Sequence, residues 1–178
     1  MPPNAVMVIH KFIRREMFDF AERLFRAEPE QVSEIRGELE RLVGLLQSHA
    51  QQEDVRIAPL LQKTAPVLAE RLARDHRRLD DQLESLRHAA DRLDPASPDV
   101  RSALRLFHLD WNRFLSAYLA HLDDEERTLF ATLGEQLPPL STITQSAQQQ
   151  GARGEEFLLR LWAVTTCEER AAIQAEPG

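Results

Sequence analysis

The sequence predicts an all-α protein, an up-down-up-down four-helix bundle with additional C-terminal helices. In four long segments, apolar residues recur at alternating spacings of three and four, which is typical of the inward-facing stripe of a bundle helix. Proline and glycine residues fall between these segments, where helices begin and end. The chain has 178 residues and only six glycines, which suits a helical domain with a sizeable core.

The first two helices are predicted at residues 4–27 and 30–56. Pro29 lies between them and suits the first turn of the second helix, because its fixed backbone angle is already helical. The connection is short, so these helices should pack as antiparallel neighbours. The stripe of the first helix consists of Val6, His10, Ile13, Met17, Phe20 and Leu24. The stripe of the second consists of Ile35, Leu39, Leu42, Leu46, His49 and Glu53.

The third and fourth helices are predicted at residues 66–93 and 98–133, after a link at 57–65 that could be partly helical. Pro66 and Pro98 suit their first turns for the same reason as before. The stripe of the third helix consists of Leu72, His76, Leu79, Leu83, Leu86 and Ala90. The stripe of the fourth consists of Phe107, Trp111, Phe114, Tyr118, His121 and Glu125.

Local signals predict where the later helices begin and end. Ser97 is expected to cap the fourth helix at its N-terminus, and Gly134 to end it. Gly151 and Gly154 are expected to interrupt the helical pattern in the C-terminal region. A Thr-x-x-Glu capping box that starts at Thr166 predicts a last helix.

We expect residues 1–137 to form the bundle and residues 138–178 to form a C-terminal helical extension packed on it. The extension carries a short amphipathic patch of Phe157, Leu158, Leu161 and Trp162. An extra helical layer over the bundle is one interpretation of this patch. The alternative is a surface for a protein partner or a homodimer, because exposed aromatic residues favour interfaces.

Six candidate metal ligands lie in the four stripes. A first half-site consists of His10, His49 and Glu53, and a second half-site consists of His76, His121 and Glu125. In each half-site a lone upstream histidine precedes a His-x-x-x-Glu pair, whose two side chains share one helix face. A carboxylate in an apolar stripe needs a compensating charge, because burying it alone costs several kcal/mol. Imidazole and carboxylate suit iron, zinc or manganese, so the repeated unit predicts a metal site.

The alternative to a metal is a buried, hydrogen-bonded network of the same side chains, which is costly unless every member is satisfied. Counted from the predicted helix ends, His76 and His121 differ in level by about 9 Å, which a stagger of the helices must absorb. Asp80, one turn after His76, could be an extra ligand, an acceptor for a ligand N–H, or a surface charge. Tyr118 could donate a hydrogen bond into the metal pocket or simply pack in the core. Other carboxylates nearby, including Glu126, are expected on solvated rims.

Several classes of function are not expected. The net charge of −7 argues against a nucleic-acid partner, and no apolar run reaches the length of a membrane span. The single cysteine and the lack of a signal-peptide pattern at the start predict a cytoplasmic protein. The Glu-x-x-His motif of ferritin-like di-iron bundles, the His-Glu-x-x-His motif of zinc proteases and phosphate-binding glycine loops do not occur.

The six candidate ligands resemble those of the hemerythrin-like (HHE cation-binding) family, over roughly residues 5–133. The resemblance implies an up-down-up-down bundle that holds two iron ions. One iron would be bound by the two histidines of the first half-site, and the other by the two histidines of the second. Glu53 and Glu125 would bridge both irons, together with an oxo, hydroxo or water bridge. The same ligand types also accept zinc or manganese.

One position departs from the oxygen-carrying hemerythrins, which have His-x-x-x-His on the third helix where this chain has His76 and Asp80. Four His and two Glu look more like the bacterial di-iron repair proteins and the eukaryotic iron-sensing hemerythrin-like domain. Fewer imidazoles leave open positions for dioxygen, peroxide or nitric oxide. The resemblance therefore implies a non-haem di-iron protein that binds or reduces such a small oxidant. The alternative is a non-enzymatic iron or oxygen sensor, or an iron-binding module, that signals to a partner.

Overall fold

The structure, a computed structural model, describes residues 4–149 and 151–175. Across these residues the secondary structure consists of eight α-helices and two short 3-10 turns, at Pro29–Gln31 and Gly134–Gln136, with no strand. The helices are α1 (Ala5–Phe25), α2 (Val32–Arg56), α3 (Ala58–Thr64), α4 (Pro66–Asp91), α5 (Val100–Leu133), α6 (Ser141–Gln149), α7 (Ala152–Trp162) and α8 (Cys167–Ala175). The prediction of an all-α fold is confirmed.

The chain divides into two compact units. The central unit is Glu16–Glu125, and the terminal unit combines Met1–Arg15 with Glu126–Gly178. Helices α1 and α5 each begin in one unit and end in the other. The predicted domain boundary between residues 137 and 138 stays a prediction.

The predicted apolar stripes of α1, α2, α4 and α5 are the buried faces of these helices. Every stripe position is buried except His76, whose side chain is 13 % exposed. Trp111, in the central unit, is fully buried, and its ring lies edge-on to Phe20 at a centroid distance of 4.6 Å. The alternating spacing of three and four thus identified the core positions, because it keeps one helix face turned inward.

Ion pairs and hydrogen bonds show how the helices of the central unit run. Near the end of α1, Arg23 donates to Glu38 near the start of α2. Arg36, also near the start of α2, donates to the carbonyls at the end of α4, those of Ala90, Asp91 and Leu93. Near the start of α4, Arg71 pairs with Asp124 of α5 at 2.9 Å. Successive long helices therefore run antiparallel, as the bundle prediction requires.

Helix α5 is staggered relative to α4. His76 lies 15 residues before the end of α4 at Asp91, and His121 lies 21 residues after the start of α5 at Val100. The difference of six residues corresponds to about 9 Å of helix. The rings of His76 and His121 nevertheless lie 4.9 Å apart. The start of α5 therefore extends beyond the end of α4 by about 9 Å.

The predicted cap of α5 was wrong. The helix begins at Val100, and the Ala103 N–H donates to the Asp99 carbonyl, so Asp99 and not Ser97 precedes the first turn. The Ser97 hydroxyl instead accepts a hydrogen bond from the Asp99 N–H at 3.3 Å, which stabilises a turn before the helix. Pro98 consequently lies in that turn. The link at 57–65 is mostly helical, since it contains α3.

The terminal unit contains α6, α7 and α8. Gly134, with a positive φ of 51°, follows the end of α5 as predicted. Gly151, with a positive φ of 57°, separates α6 from α7, but Gly154 lies inside α7, so the prediction of an interruption there was wrong. A Cβ at Gly154 would lie 1.8 Å from the Ala147 carbonyl oxygen, so the absence of a side chain allows α6 and α7 to touch.

The extension contacts the first half of α1 within the terminal unit. The Phe12 and Phe157 rings meet edge-on at 5.3 Å, and Lys11 donates to Glu169 at 2.9 Å. The capping box of α8 forms as predicted, because the Thr166 N–H donates to Glu169 and the Glu169 N–H donates to the Thr166 hydroxyl. None of the helices in residues 4–149 and 151–175 is long and apolar enough to span a bilayer.

Candidate metal centre

Three helices of the central unit bring two carboxylates and two imidazoles together. Helix α2 supplies Glu53, α4 supplies His76, and α5 supplies His121 and Glu125. One potential ligand atom from each side chain lies within 4.8 Å of the other three. His121 and Glu125 come from one face of α5 because they are one turn apart.

The distances within this cluster are those expected of atoms that share one ion. His76 Nε2 lies 3.3 Å from Glu53 Oε2 and 3.3 Å from Glu125 Oε1. His121 Nε2 lies 3.2 Å from the same oxygen of Glu125. Two ligand atoms that each bind a metal at about 2.1 Å in a tetrahedral arrangement are separated by about 3.4 Å. The donor set and its spacing therefore fit a metal ion.

Glu53 also contacts His49, the histidine that precedes it in the first half-site. His49, one turn earlier on α2, places its Nε2 3.6 Å from Glu53 Oε2. That carboxylate oxygen therefore lies between His49 and His76, one histidine from each predicted half-site. Glu53 thus contacts a histidine on its own helix and a histidine on α4.

The cluster is buried and strongly charged. Glu125 is 1 % exposed, and the ring nitrogens of His76 have no hydrogen-bond partner among the residues that the structure describes. Burial disfavours the imidazolium form of His76, but the neighbouring carboxylates of Glu125 and Glu53 outweigh it and raise its pKa to about 10. A proton on His76 supplies positive charge between the two carboxylates when no metal does, and a metal ion would replace it.

Tyr118 and Asp80, for which the sequence allowed more than one role, differ in their distance from the cluster. The ring of Tyr118 is buried and meets the ring of His121 at 5.9 Å. Burial first, and then the carboxylates of Glu53 and Glu125, raise the pKa of Tyr118 well above its usual value, so its hydroxyl keeps its proton and can donate. Asp80 is exposed on α4 and lies outside the cluster. Asp54, expected on a solvated rim, has an oxygen 3.6 Å from His76 Nδ1.

His10 lies in the terminal unit and is fully buried. Its Nδ1 lies 3.0 Å from Glu126 Oε1, and Arg14 donates to the same oxygen at 2.6 Å. Glu126 was expected on a solvated rim; its side chain is 20 % exposed and lies outside the two groups of potential ligands. The contact joins positions 116 residues apart, and Glu126 lies off the stripes, so no sequence pattern indicated it.

A comparison with protein families identifies the fold that carries this site. The family described as hemerythrin HHE cation binding domain matches residues 2–133. The chain belongs to this family. No curated protein and no solved structure gave a significant match.

All six predicted ligands lie within the matched hemerythrin HHE region, and residues 134–178 lie outside it. The hemerythrin-like domain thus carries a His/Glu cluster that is compatible with metal binding. Imidazole and carboxylate ligands favour borderline divalent metals over Mg²⁺ or Ca²⁺, which prefer oxygen alone.

Proposed function

We propose that this protein is a non-haem di-iron protein that binds or reduces a small oxidant, namely dioxygen, peroxide or nitric oxide. We further propose His10 and His49 as the histidine ligands of one iron, and the histidines of the second half-site as those of the other. Glu53 and Glu125 would bridge the two ions. The observation that carries the proposal is the convergence of two buried carboxylates and two imidazoles in the central unit.

The position of Glu53 supports a metal centre that includes histidines of both half-sites. Its Oε2 lies 3.6 Å from His49 and 3.3 Å from His76, two histidines that come from different helices and different half-sites. A carboxylate has two oxygens and can bind an ion with each. Iron bound there would supply one-electron chemistry and the open coordination positions that an oxidant needs.

The surrounding residues would orient the oxidant and limit access of water. Tyr118 packs against His121, and its hydroxyl, which keeps its proton, can donate a hydrogen bond to a small ligand in the pocket. His76 is the most exposed side chain of the cluster at 13 %, so the side next to α4 is the natural entry for a small molecule.

The test is the metal content and optical spectrum of the purified protein, reduced without air and then exposed to oxygen. Two irons per chain, with near-ultraviolet bands that appear on oxidation, would support the proposal. Repeated consumption of peroxide, oxygen or nitric oxide would then identify a catalyst. A fully folded bundle that takes up zinc or no metal would contradict redox chemistry.

A second candidate is a non-enzymatic iron or oxygen sensor that signals to a protein partner. The observation that favours it is the contact of the extension with residues that flank His10 in α1, through Lys11 with Glu169 and Phe12 with Phe157. A change at His10 could therefore reach α7 and α8. If so, removal of iron should change protease cleavage of residues 140–178. Identical digestion with and without iron would count against this candidate. A cytoplasmic location remains a prediction.

A further inference from the structure

The Nδ1 atom of the His10 ring contacts a carboxylate. His10 Nδ1 lies 3.0 Å from Glu126 Oε1, within the terminal unit, and the imidazole is fully buried. Glu126 directly follows Glu125 on α5, and adjacent helical residues point about 100° apart. The helix therefore supplies one carboxylate to the metal cluster and the next carboxylate to His10.

Glu126 Oε1 is contacted by two nitrogen groups. Arg14, one turn after His10 on α1, donates to this oxygen at 2.6 Å. A guanidinium can only donate, so Oε1 is the acceptor in that contact. The same oxygen lies 3.0 Å from His10 Nδ1 and is placed to accept from the imidazole as well, which assigns the hydrogen between the two residues to Nδ1.

We propose that Glu126 is a positioning residue for His10, which fixes the Nδ1–H tautomer and the plane of the ring so that Nε2 carries the lone pair for the metal. This inference rests on the proposed function, in which His10 is a ligand. Histidine ligands commonly donate their other N–H to a carboxylate, and the loss of such a partner lowers metal affinity by about 10- to 100-fold. Arg14 in turn holds the carboxylate in place.

The competing role for Glu126 is a plain ion pair with Arg14 that stabilises the fold and does not affect the metal. Glu38 provides a matched control, because it is also a largely buried carboxylate that accepts from an arginine of α1, Arg23. Glu38→Ala should lower stability but leave metal affinity unchanged. Glu126→Gln has a side chain of the same shape and keeps an acceptor oxygen. It should therefore retain most of the metal affinity that Glu126→Ala loses.

The experiment loads the full chain with zinc and measures zinc affinity together with the ¹⁵N shifts of the His10 ring. The wild type should bind zinc through Nε2 with the hydrogen on Nδ1. Glu126→Ala should bind zinc about 10- to 100-fold more weakly and lose the fixed tautomer, while Glu126→Gln keeps it. Coordination through Nδ1 in the wild type would overturn the proposal without any variant, so it stays testable if Glu126→Ala does not fold.

A further variant separates this inference from the proposed function. Zinc binding that is lost in His10→Ala but unchanged in Glu126→Ala would overturn the role of Glu126 alone. Zinc binding that does not depend on His10 would overturn the assignment of His10 as a ligand, and with it both the first half-site and this inference.

Discussion

The central and terminal units stabilise buried imidazoles in different ways. In the central unit, His76 and His121 face carboxylates that are themselves candidate ligands, Glu53 and Glu125. In the terminal unit, His10 faces Glu126, a carboxylate outside the candidate set, and that carboxylate has its own arginine. A carboxylate shared between imidazoles can bind a metal, whereas a carboxylate held by an arginine is better suited to orient a ring.

The difference shows that burial of a charged residue alone does not identify its role. Glu125 and Glu126 are neighbours on α5, and both contact a buried histidine. Their partners separate them: Glu125 contacts two imidazoles, and Glu126 contacts one imidazole and one guanidinium.

The largest effect is expected from Glu53→Ala, which removes the carboxylate between His49 and His76. Iron content should fall below two per chain, and metal affinity should drop by more than about 100-fold, because Glu53 is a proposed ligand and loss of a residue that only contacts a ligand already costs about 10- to 100-fold. Breaking a buried ion pair also costs about 3–5 kcal/mol, so the unfolding temperature should fall. Elemental analysis and thermal unfolding with and without a chelator measure both effects.

The control for Glu53→Ala is Asp80→Ala, which removes an exposed carboxylate of α4 that lies outside the cluster. This variant should keep its iron. Equal metal loss in the two variants would show that the cluster is assigned to the wrong carboxylates, and that Asp80 is a ligand after all.

Helix periodicity explains why the central cluster could be anticipated from sequence. Two side chains one turn apart on a helix share a face regardless of the tertiary structure. His121 and Glu125 were therefore predicted to lie on the same face of their helix. The stripes around them predicted burial for the same reason. The contact of Glu53 with His76 follows from the packing of α4 against α2 across the link at 57–65, which the prediction of an up-down-up-down bundle implied.

The features that the sequence did not predict are of two kinds: contacts between residues far apart in the chain, and residues that suit more than one local structure. The contact of His10 with Glu126 joins residues 116 positions apart and follows no period. Ser97 has good capping chemistry, but the same hydroxyl can also stabilise a turn, and the sequence does not distinguish the two uses. Gly154 lies inside α7, where glycine normally weakens a helix, and its lack of a side chain permits the close contact with Ala147. That contact is visible only in the packed structure.

Gly154→Ala should disturb the terminal unit and leave the central cluster intact. The new Cβ would lie 1.8 Å from the Ala147 carbonyl oxygen, so α6 and α7 must move apart. Overpacking of this kind costs about 1–3 kcal/mol. Gly44→Ala is the matched control, since nothing lies within 4 Å of its added Cβ in α2, and it should stabilise by about 1 kcal/mol.

Urea unfolding and iron content of both glycine variants measure this prediction. Gly154→Ala should unfold at lower urea while it binds the same amount of iron as the wild type. A loss of iron equal to that of Glu53→Ala would show that the packing of α6 against α7 controls metal binding, contrary to this expectation.

Thr166→Ala should have a smaller effect, confined to α8. It removes the hydroxyl that accepts from the Glu169 N–H, and the loss of such a cap costs about 1 kcal/mol. Hydrogen exchange should speed up in α8 and stay unchanged in α2 and α4. Ser85→Ala, whose hydroxyl donates to the Asp81 carbonyl within α4, is a control that should leave α8 unaffected.

The smallest effect is the pH dependence contributed by Glu169. Burial raises its pKa, but the Thr166 N–H and Lys11 outweigh it and hold the pKa below the usual 4.5. A lowered pKa in the folded state means that Glu169 contributes its stability above pH 4.5, and that this contribution disappears as the pH falls through the folded value. Glu169→Gln keeps the cap but cannot ionise, so its stability should lack this component.

Urea unfolding of the metal-free wild type and Glu169→Gln, near neutral pH and below pH 4.5, tests this expectation. The stability difference between the two proteins should be present near neutral pH and should shrink in acid. A difference that is the same at both pH values would mean that the charge of Glu169, and hence its pairing with Lys11, does not hold α8 against α1. The contact between the extension and the helix that carries His10 would then rest on uncharged contacts, such as that of the Phe12 and Phe157 rings and the hydrogen bond from the Ala5 N–H to the Pro138 carbonyl.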